Sequence, residues 1–158
     1  MNSKLNPHYL VGLVDGEGCF CVSINRKDSL RPEVRLLFEI ELRADDKEIL
    51  ERVKETLGCG NIYYLDYERY KKWKPHYKYK VSNIVDLSTK IIPFFKKYSL
   101  QAKKKQSFEI FCLVAKMILQ KDHLKTEGIE KIKLLREGLR RDSPGALDAH
   151  AGWGGTGF

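Results

Sequence analysis

The stretch Leu10-Val11-Gly12-Leu13-Val14-Asp15-Gly16-Glu17-Gly18 decides the fold, because two periodicities meet in it. Upstream, Asn6 and Pro7 supply an N-cap and a first helical position. Leu10, Leu13 and Val14 then share one helical face. The Asp15-Gly16-Glu17-Gly18 run reads as the stop of that helix, since glycines tolerate terminating backbone conformations. Gly12 lies inside the apolar segment, where glycine costs about 1 kcal/mol relative to alanine. A missing side chain there lets another helix approach closely. Asp15 and Glu17 are read just beyond the helix, near its negative dipole end, where two carboxylates need a positive partner. Hard oxygen ligands suit Mg²⁺. Taken alone, D-G-E-G is also an ordinary polar helix stop.

Beyond the stop the period becomes two. Phe20, Val22 and Ile24 alternate with Cys21, Ser23 and Asn25. After a turn at Asp28, Ser29 and Pro32, a second strand places Val34, Leu36, Phe38, Ile40 and Leu42 against Glu33, Arg35, Glu39 and Glu41, with Leu37 as the exception. Asp45 and Glu48 have capping-box spacing for a helix carrying Ile49, Leu50, Val53 and Leu57, closed by Gly58. Residues Cys59–Tyr70 and Tyr77–Ser82 read as two aromatic-rich strands around a basic loop. A helix over Asn83–Ile92 is expected to stop at Pro93. Longer helices are expected over Ala102–Gln120 and from Thr126 through Ile129, Ile132, Leu135 and Leu139. The class is α+β, with order αββαββα, a four-stranded antiparallel sheet and additional C-terminal helices.

The chain has 158 residues, 42% hydrophobic and 32% charged, enough for one core without disulfides or structural metal. Residues 1–141 form the expected domain. Residues 142–158 hold five of the twelve glycines without apolar period and read as a flexible tail. Apolar runs are far shorter than the roughly 20 residues of a bilayer span, which excludes a membrane helix. The polar start Met1–Pro7 predicts no signal peptide, hence an intracellular protein. Lys plus Arg number 29 against 21 acidic residues, a formal +8 that suits a polyanionic partner such as nucleic acid. Cys19, Cys21, Cys59 and Cys112 contain no C-x-x-C pair and are expected to be reduced thiols.

Residues Leu10 to Gly18 resemble the nine-residue signature of the LAGLIDADG homing endonucleases, with Val11 replacing alanine and Glu17 replacing aspartate. The two strands, the helix ending at Leu57-Gly58-Cys59-Gly60, the next two strands, Pro93-Phe94-Phe95 and the lysine run before Phe108 are similar to that family as well. The resemblance covers roughly residues 5 to 140 and implies a saddle-shaped fold. It implies that Glu17 is the metal-binding catalytic carboxylate, that the Gly16 carbonyl helps hold the metal, and that Asp15 supports the helix end. It also implies an active-site lysine: Lys103 fits best, with Lys105 the near alternative. Leu42 stands where many relatives have a glutamine.

Period two leaves one sheet face free for a ligand. Ser23, Asn25, Lys27, Glu33, Arg35, Glu39, Glu41, Asn61, Tyr63, Lys78, Lys80 and Ser82 fall on it, a mixed set suited to base edges in a major groove. Lys71, Lys72 and Lys74 suit phosphates. One signature is present, and single-motif relatives act as homodimers. The resemblance therefore implies a two-fold pairing of signature helices through Leu10, Gly12 and Leu13. The implied reaction is hydrolysis of both strands of a long, approximately palindromic double-stranded DNA site, leaving 3′ overhangs. Mg²⁺ is the implied cofactor, with Mn²⁺ able to substitute. The alternatives are a maturase binding intron RNA and a non-catalytic DNA-binding regulator. By analogy the gene is intron-encoded, in a chloroplast, a mitochondrion or a microbial cytoplasm, with no membrane partner.

Overall fold

In the computed structural model of the chain, which describes residues 4–25, 32–67 and 74–141, helix α1 (Pro7–Glu17) runs directly into strand β1 (Gly18–Asn25). The Asn6 side chain accepts the His8 amide and Pro7 occupies the first turn, as the sequence pattern requires. The stop differs from the reading. The helix continues through Asp15, Gly16 and Glu17, and Gly18 is extended (φ −78°, ψ 157°) rather than left-handed. The reason is the strand that follows at once. A Cβ on Gly18 would lie 2.7 Å from Val14 Cγ1 and 2.9 Å from the Val14 carbonyl oxygen, so glycine lets β1 start against the last helical turn.

Strand β2 (Glu33–Arg43) pairs with β1, helix α2 (Lys47–Leu57) follows, and β3 (Asn61–Leu65) and β4 (His76–Val81) close an antiparallel sheet of order β1-β2-β4-β3. This is the expected α+β arrangement with its four-stranded sheet. The strand read over Cys59–Tyr70 is shorter, and residues 68–70 lie outside the described ones. Gly58 closes α2 at φ +71°. Gly60, at φ +86°, packs so near the buried Tyr79 ring that a Cβ would meet it at 2.7 Å. Tyr79 donates its hydroxyl to the Cys59 carbonyl at 2.9 Å, which satisfies the buried phenol.

Three local expectations are corrected. The capping box at Asp45 and Glu48 does not form: Asp45 bonds Arg43 at 2.7 Å, and a 3₁₀ turn (Ala44–Asp46) makes Asp46 the N-cap. Pro93 does not stop its helix. A π turn over Leu87–Ile91, between α3 (Ile84–Asp86) and α4 (Ile92–Lys97), shifts the hydrogen-bond register before the proline. Pro93 then falls in the first turn of α4, where a missing N–H costs nothing. Finally, Cys19 and Cys21 are joined as a disulfide, while Cys59 and Cys112 are free. Alternation explains the pairing, because residues two apart on β1 project from one face.

The other face of the sheet carries the core. Phe20 lies at its centre, 5.0 Å from the Phe38 ring centroid and 5.2–5.7 Å from those of Phe95, Phe108 and Phe111. Helix α5 (Lys104–Leu119) supplies Phe108 and Phe111, and α6 (Thr126–Arg141) joins the same core through Ile132. Leu42 also packs against this core. The tail read over residues 142–158 lies outside the described residues, as does Lys27.

Candidate active site and nucleic-acid interface

Both signature carboxylates lie in the last turn of α1. Asp15 Oδ2 accepts the Gln101 amide at 2.9 Å and Oδ1 accepts the Ala102 amide at 3.2 Å. The turn that opens α5 therefore hangs on the end of α1, and the lysine run is brought to the signature helix. Glu17 is exposed at that end beside the Gly16 backbone. Hard carboxylate and carbonyl oxygens in that position fit a divalent cation. Among the described residues no three His, Cys, Asp or Glu side chains cluster as a complete metal site.

Lys104 is partly buried, and the charges of both carboxylates act on it. Burial lowers its pKa below the ordinary lysine value, and the charges of Asp15 and Glu17 oppose that shift. Lys103, the active-site lysine that the resemblance implies, and Lys105, its alternative, flank it in sequence. Lys104 lies four residues before the buried Phe108 and shares its side of α5, whereas Lys103 and Lys105 are exposed. Lys105 instead lines a separate cavity of about 700 Å³ with Phe95, Ser99 and Lys116.

The outer side of α1 corrects another expectation. Leu10 is fully buried in this chain's own core and offers nothing to a second helix, and Leu13 packs partly against the same core. The exposed stripe is Tyr9, Gly12 and Gly16. A Cβ at Gly12 or Gly16 would find nothing within 4 Å, so the fold of one chain does not explain either glycine.

The free sheet face is ordered by strand register. Asn25 opposes Glu33 and Ser23 opposes Arg35. The next polar rows run across the sheet as Glu39, Lys80 and Asn61, then Glu41, Lys78 and Tyr63. Ser82 is exposed just past the end of β4. Several of these charges are paired: Arg35 with Glu33 at 3.0 Å, and Lys78 with Glu41 at 3.5 Å and Glu39 at 3.7 Å. Gly18 pairs with Ile40, so α1 delivers Glu17 beside the Glu39–Glu41 stretch of β2. Tyr67, just past the end of β3 and not among the expected site residues, donates to Glu41 at 2.6 Å. Among the described residues no helix is long and apolar enough to cross a membrane.

Comparison with known proteins places these features in context. Residues 10–115 match the sequence profile of the LAGLIDADG endonuclease family. The probable intron-encoded endonuclease 3 of Neurospora crassa is 30% identical over 135 residues, covering 85% of this chain and 24% of that protein. The homing endonuclease I-ApeII of Aeropyrum pernix is 30% identical over 112 residues, covering 70% of this chain and 63% of that protein. The structure of I-SmaMI bound to uncleaved DNA target in the presence of calcium ions superposes with a TM-score of 0.78 at 31% identity, covering 85% of this chain and 45% of that one. The chain thus spans about a quarter of the Neurospora relative and under half of the solved chain.

Proposed function

The chain belongs to the LAGLIDADG endonuclease family, and from that premise we propose that it acts as a site-specific homing endonuclease cutting both strands of double-stranded DNA. The observation that carries this reading is the Asp15 tie, which gathers Glu17 and Lys104 at the edge of a polar sheet face. That face offers Arg, Lys, Asn and Glu side chains in register, the groups that discriminate base edges in a major groove. The free backbone of phosphates is met by the chain's excess of positive charge. The relatives are named endonucleases, which favours cleavage over the RNA-binding alternative. The same names support an intracellular place, in an organelle or a microbe.

Glu17 and the Gly16 carbonyl would hold Mg²⁺, or Mn²⁺ in its place, together with phosphate oxygens of the substrate. Bound there, the cation supplies Lewis-acid stabilisation of the reacting phosphate and activation of water. Lys104, partly buried beside both carboxylates, would offer its ammonium to charge developing on the phosphate or order the attacking water. Asp15 fixes the spacing of the two. One Glu17 serves one strand, so the second strand needs a second site. The open space over Gly12 and Gly16 supports the pairing of α1 with the same helix of a second copy. The two-fold symmetry of such a pair matches an approximately palindromic target and short 3′ overhangs. A randomised duplex library incubated with the protein and Mg²⁺, followed by sequencing of the cut ends, tests this reading. One recurrent two-fold site is the expected result; uncut or randomly nicked DNA would contradict it.

A further inference from the structure

Beneath the polar sheet face runs a linked set of four side chains with an uneven distribution of commitments. Glu41 uses its two carboxylate oxygens separately: Oε1 accepts the Tyr67 hydroxyl at 2.6 Å, and Oε2 lies 3.5 Å from Lys78 Nζ. Glu39 Oε2 lies 3.7 Å from the same ammonium. Glu41 and Lys78 are register partners on β2 and β4, whereas Glu39 reaches Lys78 diagonally. Tyr67 comes from beyond the end of β3, crosses β4 to reach β2, and sets its ring edge-on to His76 at 5.3 Å. The side chains of Lys78, Glu39 and Glu41 are only 28%, 19% and 32% exposed, so water screens this group less than an ordinary surface pair.

The consequence concerns which member can read DNA. The Tyr67 bond at 2.6 Å takes up part of the acceptor capacity of Glu41, which leaves fewer lone pairs for a cytosine amino group. The lysine is different. Its separations from both carboxylates are longer than a well-formed hydrogen bond, so it is held by charge, and among the described residues no hydrogen bond occupies its three N–H donors. Burial, and then the Glu41 carboxylate, push the Tyr67 phenol up to about 12, so at neutral pH it remains a donor. Resting on the DNA-cleaving reading above, we propose that Lys78 is a guanine-reading residue and that Tyr67 and Glu41 are positioning residues that set its place in the groove. Tyr67 thereby determines specificity without touching a base.

The test is a sequence-resolved comparison of wild type with Lys78→Met, Tyr67→Phe and Glu41→Gln. Each is scored twice on all single-base variants of the recovered target: by cleavage in Mg²⁺ and by binding selection in Ca²⁺. Lys78→Met is expected to lose about tenfold or more of its guanine preference at one base pair per half-site, the scale of a single base contact. Tyr67→Phe and Glu41→Gln should each lose roughly threefold at that same pair, a fraction of the same contact, with the preference at other positions unchanged. Glu41→Gln keeps an acceptor for Tyr67 but not the charge that holds Lys78, so agreement of the two variants supports the linkage. Wild-type preference at every pair in Tyr67→Phe, or a loss spread evenly along the site, would overturn the proposal. A wild type that selects a sequence but never cuts would sink the cleavage reading alone, since binding selection still decides the role of Tyr67. Absence of any selected sequence overturns both.

Discussion

The Asp15 carboxylate accepts the Gln101 amide at 2.9 Å across 86 positions of sequence, and its second oxygen takes the Ala102 amide. The bond pair makes the distance between Glu17 and Lys104 a property of the backbone rather than of two long side chains. Asp15→Asn keeps one acceptor for two donors and turns an NH₂ toward an N–H. Such a change in charged hydrogen bonds should lower stability by about 1–2 kcal/mol, read from the urea midpoint. Cleavage should fall further than DNA affinity. An unchanged midpoint would mean the tie contributes nothing.

Lys104 should show a trade between stability and activity. Its pKa is lowered by burial, so the folded chain holds the charged ammonium less readily than the unfolded chain does. Below both pKa values this subtracts from stability, and the penalty fades as pH rises past the folded pKa. Lys104→Met should therefore leave the thermal midpoint at neutral pH unchanged or raised while slowing cleavage roughly 10²–10³-fold, the scale of removing one transition-state donor. Lys103→Met in the same assay should cut nearly normally. The reverse ranking of the two variants would move the active-site lysine back to Lys103.

Gly12 supplies a test in which monomer and pair move in opposite directions. Nothing lies within 4 Å of a Cβ at this position, and alanine in a helix interior is favoured over glycine by about 1 kcal/mol. Gly12→Ala should raise the stability of the isolated chain yet weaken its self-association, measured by sedimentation. Gly12→Leu should abolish association and double-strand cutting together, since overpacking of this kind costs about 1–3 kcal/mol. Association unaffected by leucine would remove α1 from the interface.

Phe20 is the residue on which the helices and the sheet converge. Phe20→Ala should destabilise the chain by about 3–5 kcal/mol through lost burial and a cavity among four neighbouring rings. Chemical denaturation followed by circular dichroism measures it. A loss under 1 kcal/mol would mean that the ring cluster collapses onto the gap.

The parts legible in sequence are those governed by period and by local chemistry. Phe20, Val22, Phe38 and Ile40 declare the buried face by alternation, and the register then brings Glu39, Glu41, Lys78 and Lys80 onto the other face together. Glu17 is legible because its surroundings from Leu10 to Gly18 are distinctive. A run of three lysines has no internal phase, so which of them is partly buried emerges only once Phe108 fixes the rotation of α5. The resemblance implies one pairing surface through Leu10 and Gly12, yet residues two apart on a helix point about 200° apart, and Leu10 turns into the core. Pro93 misled because a π turn upstream absorbs the missing donor. Tyr67 and the Asp15 bonds to Gln101 and Ala102 arise from tertiary contacts that local pattern does not carry.

The central claim is that Glu17 drives metal-dependent cutting of DNA, and Glu17→Gln tests it with little change of shape. Wild type and variant would be compared on the recovered target with Mg²⁺, with chelator and with Mn²⁺, alongside binding in Ca²⁺. The expected result is double-strand cleavage by wild type that chelator abolishes and Mn²⁺ restores, and a variant that binds the target normally but leaves it intact. Equal cleavage by the two proteins in Mg²⁺, or cleavage by wild type that persists in chelator, would contradict it.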